Sequence, residues 1–85
     1  MKAFTYKVTD AEGIHALPAG GLVALAKSFS SKVMAEGNGQ IVDCKLVFGV
    51  MSLGVKCGQD ITITCEGDDE SPASEALLRY VQDNL

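Results

Sequence analysis

The chain has 85 residues, 47% of them hydrophobic and 21% charged, which makes one globular domain spanning residues 1–85 and leaves no room for a second core. Seven basic against eleven acidic side chains give a net charge of −4, which argues against nucleic acid or an anionic membrane as the main partner. The longest apolar run, Leu46 to Met51, falls far below the roughly 20 residues that a membrane-spanning helix requires. Met1-Lys2-Ala3-Phe4 does not open a signal peptide, so a cytoplasmic protein without membrane insertion is expected.

In chain order, Phe4, Tyr6 and Val8 alternate with Thr5, Lys7 and Thr9, the period of a strand with one buried face. After Asp10 to Gly13, Pro18, Leu22, Leu25 and Phe29, flanked by Ala19, Val23 and Ala26, recur at helical spacing and predict a helix from Ala16 to Phe29. Lys32 to Glu36 and Gln40 to Asp43 read as two short strands around Asn38-Gly39, a pair that tolerates the two positive φ values of a type I′ turn. Leu46 to Leu53 is a short helix closed by Gly54, with Leu46, Val50 and Leu53 on one face and Val47, Phe48 and Met51 on another. Ile61, Ile63 and Cys65 alternate with Thr62, Thr64 and Glu66 as a fourth strand. Asp68 to Pro72 is the start of a last helix with Ala73, Leu77, Tyr80 and Val81 as its buried stripe. The order βαββαβα predicts an α+β domain of the split βαβ kind: an antiparallel sheet with helices on one face.

Chemistry concentrates at the sole histidine. His15 falls at or beside the N-cap of the first helix, where the first N–H groups lack internal acceptors and the dipole adds about half a positive charge. An anion bound to the imidazole meets those N–H groups, and the same field disfavours the imidazolium and keeps the ring a neutral nucleophile. A surface histidine that caps a helix without chemistry has the same position, so two further features count. Gly20-Gly21 costs the helix roughly 1 kcal/mol per glycine relative to alanine, which suggests a close approach by another backbone beside His15. Val47, Phe48 and Met51 form a surplus apolar face suited to protein docking, unless Phe48 folds back into the core. Cys44, Cys57 and Cys65 lack C-x-x-C spacing and have only His15 as a further soft ligand, so they read as packed or idle thiols, with no metal, cofactor or disulfide frame expected.

Gly13-Ile14-His15-Ala16-Leu17-Pro18-Ala19 and Lys45-Leu46-Val47-Phe48-Gly49-Val50-Met51-Ser52-Leu53-Gly54 resemble the two signatures of the HPr family, the histidine-containing phosphocarriers of the bacterial phosphoenolpyruvate:sugar phosphotransferase system. The likeness runs the length of the chain. It implies an open-faced β-sandwich, a four-stranded antiparallel sheet covered on one face by three helices. It further implies a monomer whose His15 Nδ1 accepts a phosphoryl group from Enzyme I and passes it to IIA domains of sugar permeases. The backbone N–H groups of Ala16 and Leu17 then hold phosphate, and Gly20, Val47, Phe48 and Met51 meet the partners. The chain departs from the family twice. Leu17 stands where the motif has arginine, the chain's one arginine being Arg79, and Leu46 stands where many Gram-positive members have a regulatory serine. Glu12 adds a negative charge just before the motif. A regulatory binding module with weak or no phosphotransfer is the alternative.

Overall fold

All seven expected elements form, in the expected order, in a computed structural model that describes all 85 residues. They are β1 (Lys2–Lys7), α1 (Ala16–Lys27), β2 (Lys32–Gly37), β3 (Gln40–Asp43), α2 (Val47–Ser52), β4 (Asp60–Glu66) and α3 (Glu70–Asn84). The strands make one sheet in the order β1-β4-β2-β3, each neighbouring pair antiparallel. β4 thus lies between β1 and β2, and α1 connects those two outer neighbours across it, as in a split βαβ unit.

Register decides which side chains meet the helices. Phe4 pairs with Ile63, which also pairs with Ala35, and Val33 pairs with Cys65, so one face of the sheet carries the apolar set. Against it α1 buries Pro18, Ala19, Leu22, Val23 and Ala26, and α3 buries Ala73, Leu77 and Val81. The opposite face carries Thr5, Thr62, Thr64, Met34 and Glu36, with the Thr5 and Thr62 hydroxyls 2.8 Å apart. Leu22 and Leu77 are fully buried, and truncating either to alanine costs about 2–5 kcal/mol. Asn38 and Gly39 take φ of 50° and 79°, as the I′ turn requires. The Asn38 side-chain amide also donates to the carbonyls of Leu53 (2.8 Å) and Gly54 (3.1 Å), tying the end of α2 to the hairpin.

Some boundaries and faces differ from expectation. α1 stops at Lys27, where Ser28 and Phe29 N–H groups turn back to Leu25 and Ala26 and the Ser28 hydroxyl donates to Leu25 at 2.6 Å. Leu25 and Phe29 are half-buried, because the fully buried stripe of α1 runs through Ala19, Leu22 and Ala26. β1 begins at Lys2, and Val8 lies just beyond it, buried. α3 begins at Glu70, two residues before Pro72, which is accepted in a first turn because no N–H is needed there. Tyr80 is half-buried rather than in the core. Leu46, expected on the inner face of α2, is the extended residue before that helix and is 60% exposed. Val47 replaces it, half-buried against the core, since a helix of six residues has inward positions only for Val50 and this neighbour.

Candidate functional site

His15 is the N-cap of α1, with extended backbone (φ −102°, ψ 180°) and no side-chain capping bond. The loop before it is fixed on three sides. Thr9 and Asp10 N–H groups donate to the Leu85 carbonyl at 2.6 and 2.7 Å, Ile14 N–H donates to Val55 at 3.0 Å, and the Ile14 side chain enters the core. Gly13 has φ +69°, and a Cβ there would lie 2.5 Å from the Val55 carbonyl oxygen, so both its backbone angle and the close approach require glycine. His15 is thereby delivered at a fixed angle to the start of a helix.

That helix start is open. Ala19 N–H makes the first helical bond, to the His15 carbonyl at 3.0 Å, and Pro18 contributes no N–H. The Ala16 and Leu17 N–H groups therefore remain for an outside acceptor, and no acidic residue occupies the first turn. A hollow of about 230 Å³ lined by Asp10, His15, Leu17, Pro18 and Asn84 lies there. A larger hollow, about 490 Å³ between α1 and α3, is lined by Arg79, Tyr80 and Asp83, and the one arginine does not line the His15 hollow.

Two side chains beside the ring escaped the sequence reading in this role. His15 Nε2 lies 3.4 Å from Glu12 Oε2 and 3.8 Å from Asp10 Oδ2, while Asp10 Oδ1 accepts the Glu12 N–H at 2.8 Å. The negative charge that Glu12 adds before the motif lies beside the imidazole. The spacing Asp-x-Glu-x-x-His within one tight loop was the available signal. Their donor atoms all lie within 4.8 Å of one another, so this is the grouping that could meet a cation, although such exposed carboxylates commonly stand without one.

Comparison with known proteins gives the family and the fold. Residues 2–83 match the family model described as the PTS HPr component phosphorylation site. The chain belongs to the HPr family. The histidine-containing phosphocarrier protein of a Mycoplasma is similar at 33% identity and a TM-score of 0.93, covering 96% of this chain and 93% of that one. HPr of Bacillus anthracis is similar at 38% identity, with a TM-score of 0.88 and coverage of 95% and 96%. Crh, the Bacillus subtilis catabolite repression protein, solved as a domain-swapped dimer, is 38% identical over 94% of this chain and 92% of its own, with a TM-score of 0.78. This chain is thus an HPr-family phosphocarrier with the open four-stranded sheet and three helices of that fold, and no helix is long and apolar enough to cross a membrane.

The remaining expected HPr positions fall unevenly. Phe48 is 84% exposed and Leu17 83%, with Met51 and Leu46 also exposed, so the apolar surface near α2 includes Leu46 and less of Val47 than expected. α1 packs against α2, which joins that surface to the helix bearing His15. Gly20 is exposed, with nothing within 4 Å of where a Cβ would sit, so no part of this chain makes the close approach expected there. The approach occurs at Gly21, where the Tyr80 ring fills the space, and it comes from a side chain rather than a backbone. Tyr80 donates its hydroxyl to the Pro18 carbonyl at 2.7 Å, and burial raises its pKa above the ordinary phenol value. Cys44 and Cys65 are buried on either side of Val33, and burial pushes the Cys44 thiol up to about 12 and raises that of Cys65, so neither is a nucleophile. Cys57 is exposed, its thiol 3.6 Å from the Thr9 carbonyl.

Proposed function

We propose that His15 accepts a phosphoryl group on Nδ1 from Enzyme I and passes it to IIA domains of sugar permeases, the protein acting as a cytoplasmic monomer. The observation that carries this is the open start of α1. An extended, uncapped histidine precedes two unpaired N–H groups in a turn free of carboxylates. Phosphoryl transfer asks a protein mainly to align donor and acceptor and to stabilise charge on the equatorial oxygens. The Ala16 and Leu17 N–H groups supply that stabilisation together with the helix dipole. Partners dock on Phe48, Met51 and the half-buried Val47, and Gly20 leaves room for their backbone.

Incubation with labelled phosphoenolpyruvate and Enzyme I tests this. Acid-labile, base-stable label is expected on the wild-type chain and absent from His15→Ala; stable label on that variant removes the chemistry from the histidine. A regulatory binding module remains the second reading, favoured by Leu17 in the arginine position and by the likeness to Crh. Under that reading the wild-type chain takes little label while Phe48 still contributes to partner binding. Size-exclusion chromatography separates a monomer from a Crh-like dimer.

A further inference from the structure

We infer that Glu12, supported by Asp10, is a positioning residue that selects which nitrogen of His15 attacks phosphorus. This rests on the reading of His15 as the phosphoryl acceptor. A neutral imidazole carries its proton on one nitrogen and a lone pair on the other, and an ionised carboxylate can only accept. Two carboxylate oxygens face Nε2, at 3.4 and 3.8 Å. A lone pair on Nε2 would lie beside two negative groups, whereas an N–H there lies beside two acceptors. The proton therefore resides on Nε2, and Nδ1 keeps the lone pair. A hydrogen bond at one ring nitrogen fixes the role of the other in the same way in the serine protease triad.

The loop holds these carboxylates where they can act. Asp10 Oδ1 is engaged by the Glu12 N–H at 2.8 Å, which turns Oδ2 toward the ring, and the Asp10 N–H is bonded to Leu85. Gly13 and Ile14 fix the return of the chain to His15. During transfer the Nδ1 lone pair forms the N–P bond while the bond from phosphorus to the donor breaks, its electron pair leaving with the donor. Nε2 keeps its proton, so the ring becomes cationic beside a helix start that already carries about half a positive charge. Glu12 and Asp10 offset that charge from beside Nε2. At 3.4 Å the Glu12 contact is longer than a full hydrogen bond, and it tightens as the ring gains charge.

Nitrogen-15 NMR of the His15 ring at about pH 9, where an ordinary imidazole is neutral, reads the tautomer without any partner protein. The wild-type chain is expected to show the Nε2–H form alone. Glu12→Ala should move toward a mixture and, in single-turnover transfer from phosphorylated Enzyme I, slow by about 5-fold, the scale of a partly exposed ion pair. Glu12→Gln, which keeps an acceptor but loses the charge, should retain the wild-type tautomer and fall between the two in rate. An Nδ1–H form in the wild type, or a Glu12→Ala variant with unchanged tautomer or with equal or faster transfer, overturns the inference. A wild-type chain that takes no label counts against the phosphocarrier reading instead, and the tautomer measurement still decides the role of Glu12.

Discussion

Two helices of this domain lie on the same face of the sheet, yet the chain places carboxylates at the N-terminus of one and none in the first turn of the other. The start of α3 is closed by its own chain. Asp69 is its N-cap residue and, like His15, makes no side-chain capping bond; its carboxylate accepts the Ser30 and Ser31 N–H groups at 2.8 and 2.9 Å and the Ser31 hydroxyl, while Glu70 in the first turn accepts the Gly67 N–H at 3.2 Å. The start of α1 shares the missing capping bond and the first-turn proline, but its cap is a histidine and no carboxylate occupies its first turn. Both termini offer the same partial positive charge, so the difference lies in whether the chain supplies the anion. Where it does, as at Asp69, the terminus clamps the α1–β2 connection to α3. Where it does not, the terminus is available to an anion from outside, and the carboxylates that do come near, Asp10 and Glu12, address the imidazole edge.

Removing the closing anion should have the larger structural effect. The Ser31 hydroxyl, followed by the Ser30 N–H, holds the Asp69 carboxyl down to about 2, below its ordinary 3.8. A carboxyl with a depressed folded pKa contributes stability that is present above pH 3.8 and is lost as pH falls through about 2. Asp69→Ala is therefore expected to melt several degrees below wild type near neutral pH, with the two melting curves converging across that acid window. A gap that stays constant down to pH 2 would mean that Asp69 acts by packing rather than by charge.

The open terminus is probed by adding the cation it lacks. Leu17 is exposed in the first turn and lines the His15 hollow, so Leu17→Arg can bring a guanidinium to the phosphoryl oxygens without moving the backbone. A charge-assisted contact is worth about 1.5–3 kcal/mol, and Asp10 across the hollow competes for the same group. The lower end applies, about 10-fold in kcat/KM for phosphorylation by Enzyme I. Stopped-flow rates equal to or below wild type would show that Leu17 suits a different partner surface and would favour the regulatory reading.

The same distinction between a surface left open and one the chain fills applies to Phe48. Its side chain is almost fully exposed, so Phe48→Ala should weaken Enzyme I binding by about 1 kcal/mol, roughly 5-fold, and leave the melting temperature within about 2 °C of wild type. A drop much larger than that in melting temperature, with binding unchanged, would assign Phe48 to packing instead of docking.

What could be read from the sequence follows from how far each signal reaches along the chain. Period-2 and helical spacing marked β1, α1, β4 and α3, because the core is built from alternating and i, i+4 residues such as Ile61, Ile63, Leu22 and Ala26, while the Asn38-Gly39 turn marked β2 and β3. His15 at a helix start was legible for the same local reason. The roles of Gly21 and Tyr80 were not, since 59 residues separate them and only the packing of α3 on α1 brings them together. Leu46 and Val47 exchanged burial because a helix of six residues has too few turns for its phase to be read. The carboxylates at His15 were visible as residues, but their direction depends on a loop bent by Gly13 and tied to Leu85 and Val55.

The smallest expected effect separates two adjacent glycines. Gly20 faces open space and Gly21 faces the Tyr80 ring, although both occupy the interior of α1. With no clash to meet, Gly20→Ala should raise stability by about 0.5–1 kcal/mol through helix propensity alone. Gly21→Ala gains the same propensity but forces Tyr80 away, which endangers its bond to the Pro18 carbonyl and the anchoring of the first turn. The added methyl at position 20 falls on the side left bare for a partner, so Gly20→Ala should bind Enzyme I more weakly while melting at a higher temperature. Urea melts and binding titrations of the two variants read both quantities. A Gly20→Ala protein that gains stability with undiminished partner binding would remove Gly20 from the docking surface and confine that surface to Phe48 and its neighbours.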